Sequence, residues 1–81
     1  MRIRVLLFAA VADQVGQSER DVDVPDGSTV ADALDRLAAD HAPIAAMRDR
    51  LATAVDMTYV KPDHVLQDGD ELALIPPVSG G

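Results

Sequence analysis

The fold is best predicted from one stretch, residues 28–38, which read Ser-Thr-Val-Ala-Asp-Ala-Leu-Asp-Arg-Leu-Ala. Thr29 and Asp32 stand at the spacing of a capping box, in which each side chain accepts a hydrogen bond from the other residue's backbone N–H. From Val30 onward, apolar residues recur at i+4, i+7 and i+8, which places them in one stripe along a helix. The stretch therefore predicts an amphipathic helix that packs one face against a sheet.

Two strands are predicted before this helix. Residues 2–8 alternate arginine with aliphatic residues, and residues 19–24 place valines between charged residues, both with the period of two that strands require. Between them, residues 9–15 predict a short helix that ends at Gly16, a residue suited to a left-handed cap. The order up to the main helix is therefore strand, short helix, strand.

After the main helix, residues 43–51 begin with a proline and predict a second short helix. Strands are predicted at residues 52–55, 58–60 and 70–75. Strands that flank one covering helix indicate an α+β protein in two layers. By analogy with known folds, we predict a β-grasp (ubiquitin-like) architecture, a mixed sheet of about five strands with one main helix and short additional helices. Residues 1–75 would form this domain and residues 76–81 an extended Gly-Gly tail.

Composition argues against several classes of protein. The 81 residues carry a net charge of −7 from 14 acidic and 7 basic residues, and an acidic surface repels nucleic acid. The chain has no cysteine, so disulfides, thiolate metal sites and a cysteine nucleophile are excluded. No apolar run approaches the roughly 20 residues that span a bilayer, and residues 1–16 lack the pattern of a signal peptide. We therefore expect a cytoplasmic protein without membrane association.

The second face of the predicted sheet should be polar, because the helices are too few to cover it. If the alternating aliphatic residues of the first and last strands point toward the helix, their neighbours point away from it. The side chains expected on this second face are nevertheless apolar: Leu6, Phe8, Ala73 and Ile75, with Tyr59 as a further candidate. An exposed patch of this kind indicates a partner surface. The alternative is that residues 43–51 fold over this face and cover it.

The side chains offer no self-contained active site. His41 follows the main helix, where a positive charge complements the helix dipole, so we interpret it as a capping residue. His64 stands beside Asp63, but a metal site needs further ligands at set spacing. Ser79 has no histidine near it in the sequence. We expect no metal and no permanently bound cofactor.

The reactive group is predicted at the tail, Pro76-Pro77-Val78-Ser79-Gly80-Gly81. Glycine suits a narrow slot because backbone can approach backbone without a Cβ, and proline restricts φ and lowers the ordering entropy. Six extended residues reach roughly 18–20 Å. We hypothesise that the carboxylate of Gly81 is activated by joining to AMP in another protein's nucleotide site. The residues before it, from Pro76 to Gly80, would thread into that site.

Residues 65–81, with Asp68-Gly69-Asp70-Glu71 and the tail, resemble the small subunit of molybdopterin synthase, a MoaD-type sulfur carrier. Residues 5–9 and 27–37 are similar too. The resemblance implies that an E1-like adenylyltransferase uses ATP and magnesium to adenylate Gly81. A persulfide sulfur donor would then convert it to a thiocarboxylate.

The resemblance also implies the acceptor and the assembly. The tail would enter the large synthase subunit and deliver sulfur to cyclic pyranopterin monophosphate, which forms molybdopterin in a heterotetramer of two small and two large subunits. Phe8, Tyr59 and Ile75 match positions that pack on the large subunit and on the activating enzyme. Leu6 joins them through the alternation of the first strand.

One departure from the family lies at Asp56-Met57, where relatives often have asparagine. Because Asn or Asp followed by Gly is the usual tight-turn choice, we predict a less regular turn and an undefined placement of Tyr59. Other functions stay open: a sulfur carrier for thiazole synthesis, a carrier for cysteine or tRNA thiolation, or a ubiquitin-like modifier that forms isopeptides with lysine.

Overall fold

The computed structural model describes residues 1–77, and its elements follow the predicted order. They are β1 (Arg2–Leu7), α1 (Ala9–Val15), β2 (Glu19–Asp23), α2 (Val30–Asp40), α3 (Ala42–Met47), β3 (Ala52–Val55), β4 (Thr58–Tyr59) and β5 (Glu71–Ile75). The helix predicted at residues 43–51 is shorter, because α3 gives way to a 3₁₀ turn at Arg48–Arg50. The tail predictions for Val78, Ser79, Gly80 and Gly81 lie outside the described residues.

The capping box predicted at the start of α2 is present. The Thr29 Oγ1 accepts from the Asp32 N–H at 3.2 Å, and the Asp32 Oδ2 accepts from the Thr29 N–H at 2.9 Å. These bonds satisfy N–H groups that the first turn of a helix leaves without partners. The local sequence thus determines where α2 begins.

The five strands form one mixed sheet in the order β2-β1-β5-β3-β4. β1 and β5 are parallel, and the other neighbouring pairs are antiparallel. The first and last strands therefore lie side by side at the centre, which confirms the β-grasp prediction. Because β1 and β5 run in the same direction, their carboxyl ends lie at the same end of the sheet.

An aliphatic core lies between the sheet and the helices. The residues predicted to point inward are confirmed as buried: Ile3, Val5, Leu7, Leu72 and Leu74 from the sheet, with Val30, Leu34 and Leu37 from α2. Ile44 and Met47 of α3 join the same core. The alternative in which residues 43–51 cover the second sheet face is therefore wrong, because Ile44 and Met47 pack into the core between the sheet and the helices.

The hairpin at Asp56-Met57 is regular, so the prediction of an irregular turn is wrong. Both residues have positive φ, 48° and 71°, and the flanking pairs are Val55 with Thr58 and Ala54 with Tyr59. A two-residue hairpin loop in which both residues have positive φ is typical of a type I′ turn, and the twist of this turn matches that of the flanking strands. The backbone N–H of Glu71 donates to Asp56 Oδ1 at 3.3 Å and ties the turn to β5. Tyr59 consequently has a defined register.

The Asp68-Gly69-Asp70 turn connects the starts of β1 and β5. Asp68 Oδ1 accepts from the Arg2 N–H, and Asp70 Oδ2 accepts from the Gln67 N–H, each at 2.8 Å. Gly69 has φ of 85°, a left-handed conformation that glycine adopts without steric cost. Asp68, Gly69 and Asp70 therefore have a structural role in aligning the two central strands.

Candidate functional site

The outer face of the sheet, turned away from α2, carries an apolar patch. Directly paired residues share a face, so the strand register places Leu6, Ala73, Ala54 and Tyr59 in one row across four strands. Ala52 and Ile75 are paired with each other on the same face, next to this row. We define the apolar patch as these six residues together with Phe8.

Phe8 belongs to the apolar patch because its backbone continues the extended strand. Its φ and ψ are −120° and 151°, so the alternation of β1 carries Phe8 to the same face as Leu6. Its side chain is 45% exposed, and that of Tyr59 is 72% exposed. The structure thus brings together the four residues predicted as partner contacts: Leu6, Phe8, Tyr59 and Ile75. Their contact with a partner stays a prediction.

The tail begins at the apolar patch. β5 ends at Ile75, and Pro76 and Pro77 follow directly, the first partly buried and the second exposed. Because β1 and β5 are parallel, the carboxyl end of β5 lies at the same end of the sheet as Phe8, which follows β1. A protein that covered the patch would therefore meet the start of the tail as well.

The other half of the outer face carries ion pairs between β1 and β2. Arg2 Nε lies 3.0 Å from Asp23 Oδ1, and Arg4 Nε lies 3.8 Å from Asp21 Oδ1. The hydrogen bond from Arg2 and its positive charge hold the pKa of Asp23 below its usual value. The sequence analysis missed this set of pairs, although the alternation of acidic residues at 19, 21 and 23 is the signal that would have found it.

Within residues 1–77, neither histidine belongs to a group of three or more potential metal ligands. The backbone N–H of His41 donates to the Leu37 carbonyl at 2.8 Å, so the residue caps α2 through its backbone. Its imidazole makes no hydrogen bond to the described residues, and Nε2 is buried. His41 is thus the capping residue that was predicted, and the interaction of a positive charge on its side chain with the helix dipole stays a prediction. His64 is exposed, and its carbonyl accepts from the Val30 N–H.

The structure offers no metal site within residues 1–77, where no group of three or more His, Asp or Glu side chains is placed to hold an ion. In the same range, none of the helices is long and apolar enough to cross a membrane. The described residues provide a folded domain, the first residues of a tail and an apolar patch. The patch is exposed at Phe8, Ala52 and Tyr59, partly exposed at Leu6, Ala73 and Ile75, and buried at Ala54.

Comparisons with known proteins identify relatives of this chain. The family model described as "ThiS family" matches residues 5–81. The chain is 42% identical to the molybdopterin synthase sulfur carrier subunit of Escherichia coli, covering 98% of this chain and 99% of that one. It is 36% identical to the subunit of the same name from Chlamydomonas reinhardtii, over 100% of both chains.

Solved structures share the fold. SAMP1 from Haloferax volcanii is 34% identical with a TM-score of 0.87, over 100% of both chains. The complex of subunits 1 and 2 of molybdopterin-converting factor from Helicobacter pylori contains a chain that is 20% identical, with a TM-score of 0.72 over 100% of both chains. At that identity the second likeness shows the fold alone.

The curated relatives are small carrier subunits, which agrees with a chain that has no autonomous active site. The family match covers residues 5–81, and the alignments with the two curated relatives cover 98% and 100% of the chain. The chain therefore belongs to the ThiS family, and within it to the group of the molybdopterin synthase sulfur carrier subunits.

Proposed function

We propose that this protein is the sulfur carrier of a molybdopterin synthase and acts in the cytoplasm. The observation that supports it most is the continuity between the apolar patch and the tail, because Ile75 belongs to the patch and Pro76 follows it directly. A partner that buries the patch would receive the tail in a defined position. The carrier subunits named above support the same role.

The proposed chemistry takes place at the carboxylate of Gly81. An ionised carboxylate, with an unperturbed pKa near 3.5, is a poor electrophile at neutral pH. In an E1-like adenylyltransferase, a carboxylate oxygen attacks the α-phosphorus of ATP, and magnesium pyrophosphate leaves. The terminal sulfur of a persulfide on the sulfur donor then displaces AMP and forms an acyl disulfide. A second thiol of the donor attacks the sulfur–sulfur bond, which leaves a thiocarboxylate on Gly81 and a disulfide on the donor.

The thiocarboxylate is then used in the large synthase subunit. The large subunit covers the apolar patch, and its active site receives the tail through Val78, Ser79 and Gly80. The thiocarboxylate sulfur forms a bond to cyclic pyranopterin monophosphate, and water cleaves the resulting thioester, which leaves the sulfur on the pterin and regenerates the carboxylate of Gly81. Because the dithiolene of molybdopterin contains two sulfurs, two carriers serve each product, in keeping with a heterotetramer of two small and two large subunits.

The test is intact mass spectrometry of the full chain after incubation with the E1-like enzyme, ATP, magnesium and a persulfide donor. We expect one oxygen to be replaced by one sulfur, and tandem spectra to place the sulfur at Gly81. The control is a variant that lacks Gly81, which should keep its fold and show no exchange. An unchanged mass of the intact chain would overturn the proposal.

A second candidate is a protein modifier. The likeness to SAMP1 favours it, since another solved structure at 31% identity describes the same protein as small archaeal modifier protein 1. In that case the Gly81 adenylate would react with lysine amines on other proteins and release AMP. Lysine conjugates in the same incubation, in place of the thiocarboxylate, would favour the modifier over the carrier.

A further inference from the structure

Opposite charges border the apolar patch at its two edges, and this further inference rests on the proposed function. At the β2 edge, Glu19 is paired directly with Leu6 and is exposed. Asp21 and Asp23, which follow on the same strand, form ion pairs with arginines of β1. Glu19 takes part in none of the ion pairs found within residues 1–77. It is therefore the uncompensated carboxylate at the β2 edge of the patch. Glu71, which precedes Ala73 by two residues on the same face and is paired with Arg4 in the strand register, lies at the centre of the sheet and does not distinguish its two edges.

At the β4 edge, Lys61 supplies a positive charge. Lys61 is the single lysine of the sequence and follows Tyr59 by two residues. It lines a groove of about 460 Å³ together with Tyr59 and Ala52 of the apolar patch. Asp49 and Arg48, the latter paired with Asp35, come from the segment between α3 and β3 and line the same groove. Lys61 is exposed, and it too is absent from the ion pairs of the described chain.

This arrangement differs from a general acidic surface. A net charge of −7 would attract any basic partner and would not favour one orientation over another. Glu19 and Lys61 lie on the two edge strands or directly beside them, with the apolar patch between them. Orientation matters here because the tail leaves from one end of β5 and has to meet the partner's active site.

We propose that the surface that covers the apolar patch presents a cation opposite Glu19 and an anion opposite Lys61. The occupant is thus a partner with an apolar centre, a basic side and an acidic side, the large synthase subunit in the proposed function. Rim charges of this kind contribute mainly to the association rate and to the choice of register. A partner docked in the reversed orientation would place like charges together at both edges.

The test compares Glu19→Lys with Lys61→Glu. The two substitutions change the net charge in opposite directions by the same amount. We expect both to lower the association rate constant with the large subunit from the same genome, each by about three- to tenfold at low salt. The loss should shrink as ionic strength rises, since exposed charges are screened.

Matched controls lie on the helix layer. Arg36 and Asp40 form an exposed ion pair on α2, so Asp40→Lys and Arg36→Glu change the net charge equally on the opposite side of the molecule. We expect these two variants to have small effects of opposite sign. If Glu19→Lys and Lys61→Glu also had opposite effects, or effects no larger than their controls, net charge alone would explain the rates and the proposal would be overturned.

A Tyr59→Ala variant separates this proposal from the proposed function. If Tyr59→Ala weakens binding while the two charge reversals match their controls, the charge arrangement is refuted and the docking face is retained. If the chain forms the thiocarboxylate but the large subunit does not bind it at all, the synthase assignment and the charge proposal are both overturned.

Discussion

Leu6 lies directly across from Ala73 in the parallel pairing of β1 with β5. This pairing joins the first strand to the last one and places Leu6 in the same row as Ala54 and Tyr59. The row forms the middle of the apolar patch. The point where the tail begins follows from the same pairing, because the carboxyl ends of β1 and β5 lie at the same end of the sheet. The apolar patch and the start of the tail are thus positioned by the pairing of two strands that lie far apart in the sequence.

Tyr59→Ala should weaken binding to the large subunit by about tenfold or more, since a well-covered aromatic side chain is a common hot spot. Its side chain is 72% exposed in the free protein, so the free energy of unfolding should change by less than about 0.5 kcal/mol. Isothermal titration calorimetry and urea unfolding measure the two effects. Val65→Ala is the control, because Val65 is exposed but lies outside the apolar patch. Equal affinity of the two variants for the large subunit would contradict the proposal that the large subunit covers the apolar patch.

Leu74→Ala should lower the free energy of unfolding by about 2–5 kcal/mol, because Leu74 is fully buried. Ile75→Ala removes the neighbouring side chain, which lies on the outer face and is partly exposed. It should cost about 1 kcal/mol, since little cavity is left behind. Urea unfolding of both variants provides the measurement. The assignment of faces would be wrong if Ile75→Ala cost as much as Leu74→Ala.

Met57→Gly should raise the free energy of unfolding by about 0.5–1 kcal/mol. Met57 is 94% exposed and holds φ at 71°, a conformation that costs a residue with a Cβ about 1–2 kcal/mol. Part of that gain is lost to the greater entropy of glycine in the unfolded chain. Thermal unfolding should show a higher midpoint. Asp56→Gly is the control, and it should gain less because it removes the hydrogen bond to the Glu71 N–H.

Arg2→Gln should raise the pKa of Asp23 toward its ordinary value, because the hydrogen bond and charge of Arg2 are what lower it. A lowered pKa in the folded state means that this pair stabilises the protein above the ordinary carboxyl pKa. The stabilisation is lost as the pH falls through the lowered pKa. NMR titration of the Asp23 carboxyl carbon in both proteins measures the pKa of this group. Arg4→Gln, which removes the partner of Asp21, should leave the Asp23 titration nearly unchanged.

The local features of this fold could be predicted because they depend on neighbouring residues. The capping box at Thr29 and the inward position of Leu72 and Leu74 follow from spacing along the chain. The same alternation predicted that Leu6, Phe8 and Ile75 share the opposite face. For the tail, the sequence and the family resemblance provide the prediction at Gly81, and it stays a prediction because that residue lies outside the described part of the chain.

Other features depended on contacts between residues far apart in the sequence. Periodicity says which way Tyr59 alternates, but only the type I′ turn at Asp56-Met57 and the pairing with Ala54 gave it a register. Likewise, an amphipathic α3 could have covered either side of the sheet, and burial of Ile44 and Met47 in the core decided the side.

The sequence by itself determined the elements, their apolar faces and the tail, because capping and alternation act over a few residues. The tertiary structure alone decided that β1 lies beside β5 and that Glu19 and Lys61 border the patch from opposite edges. Strand neighbours are chosen by the packing of the whole core, and no local pattern encodes that choice.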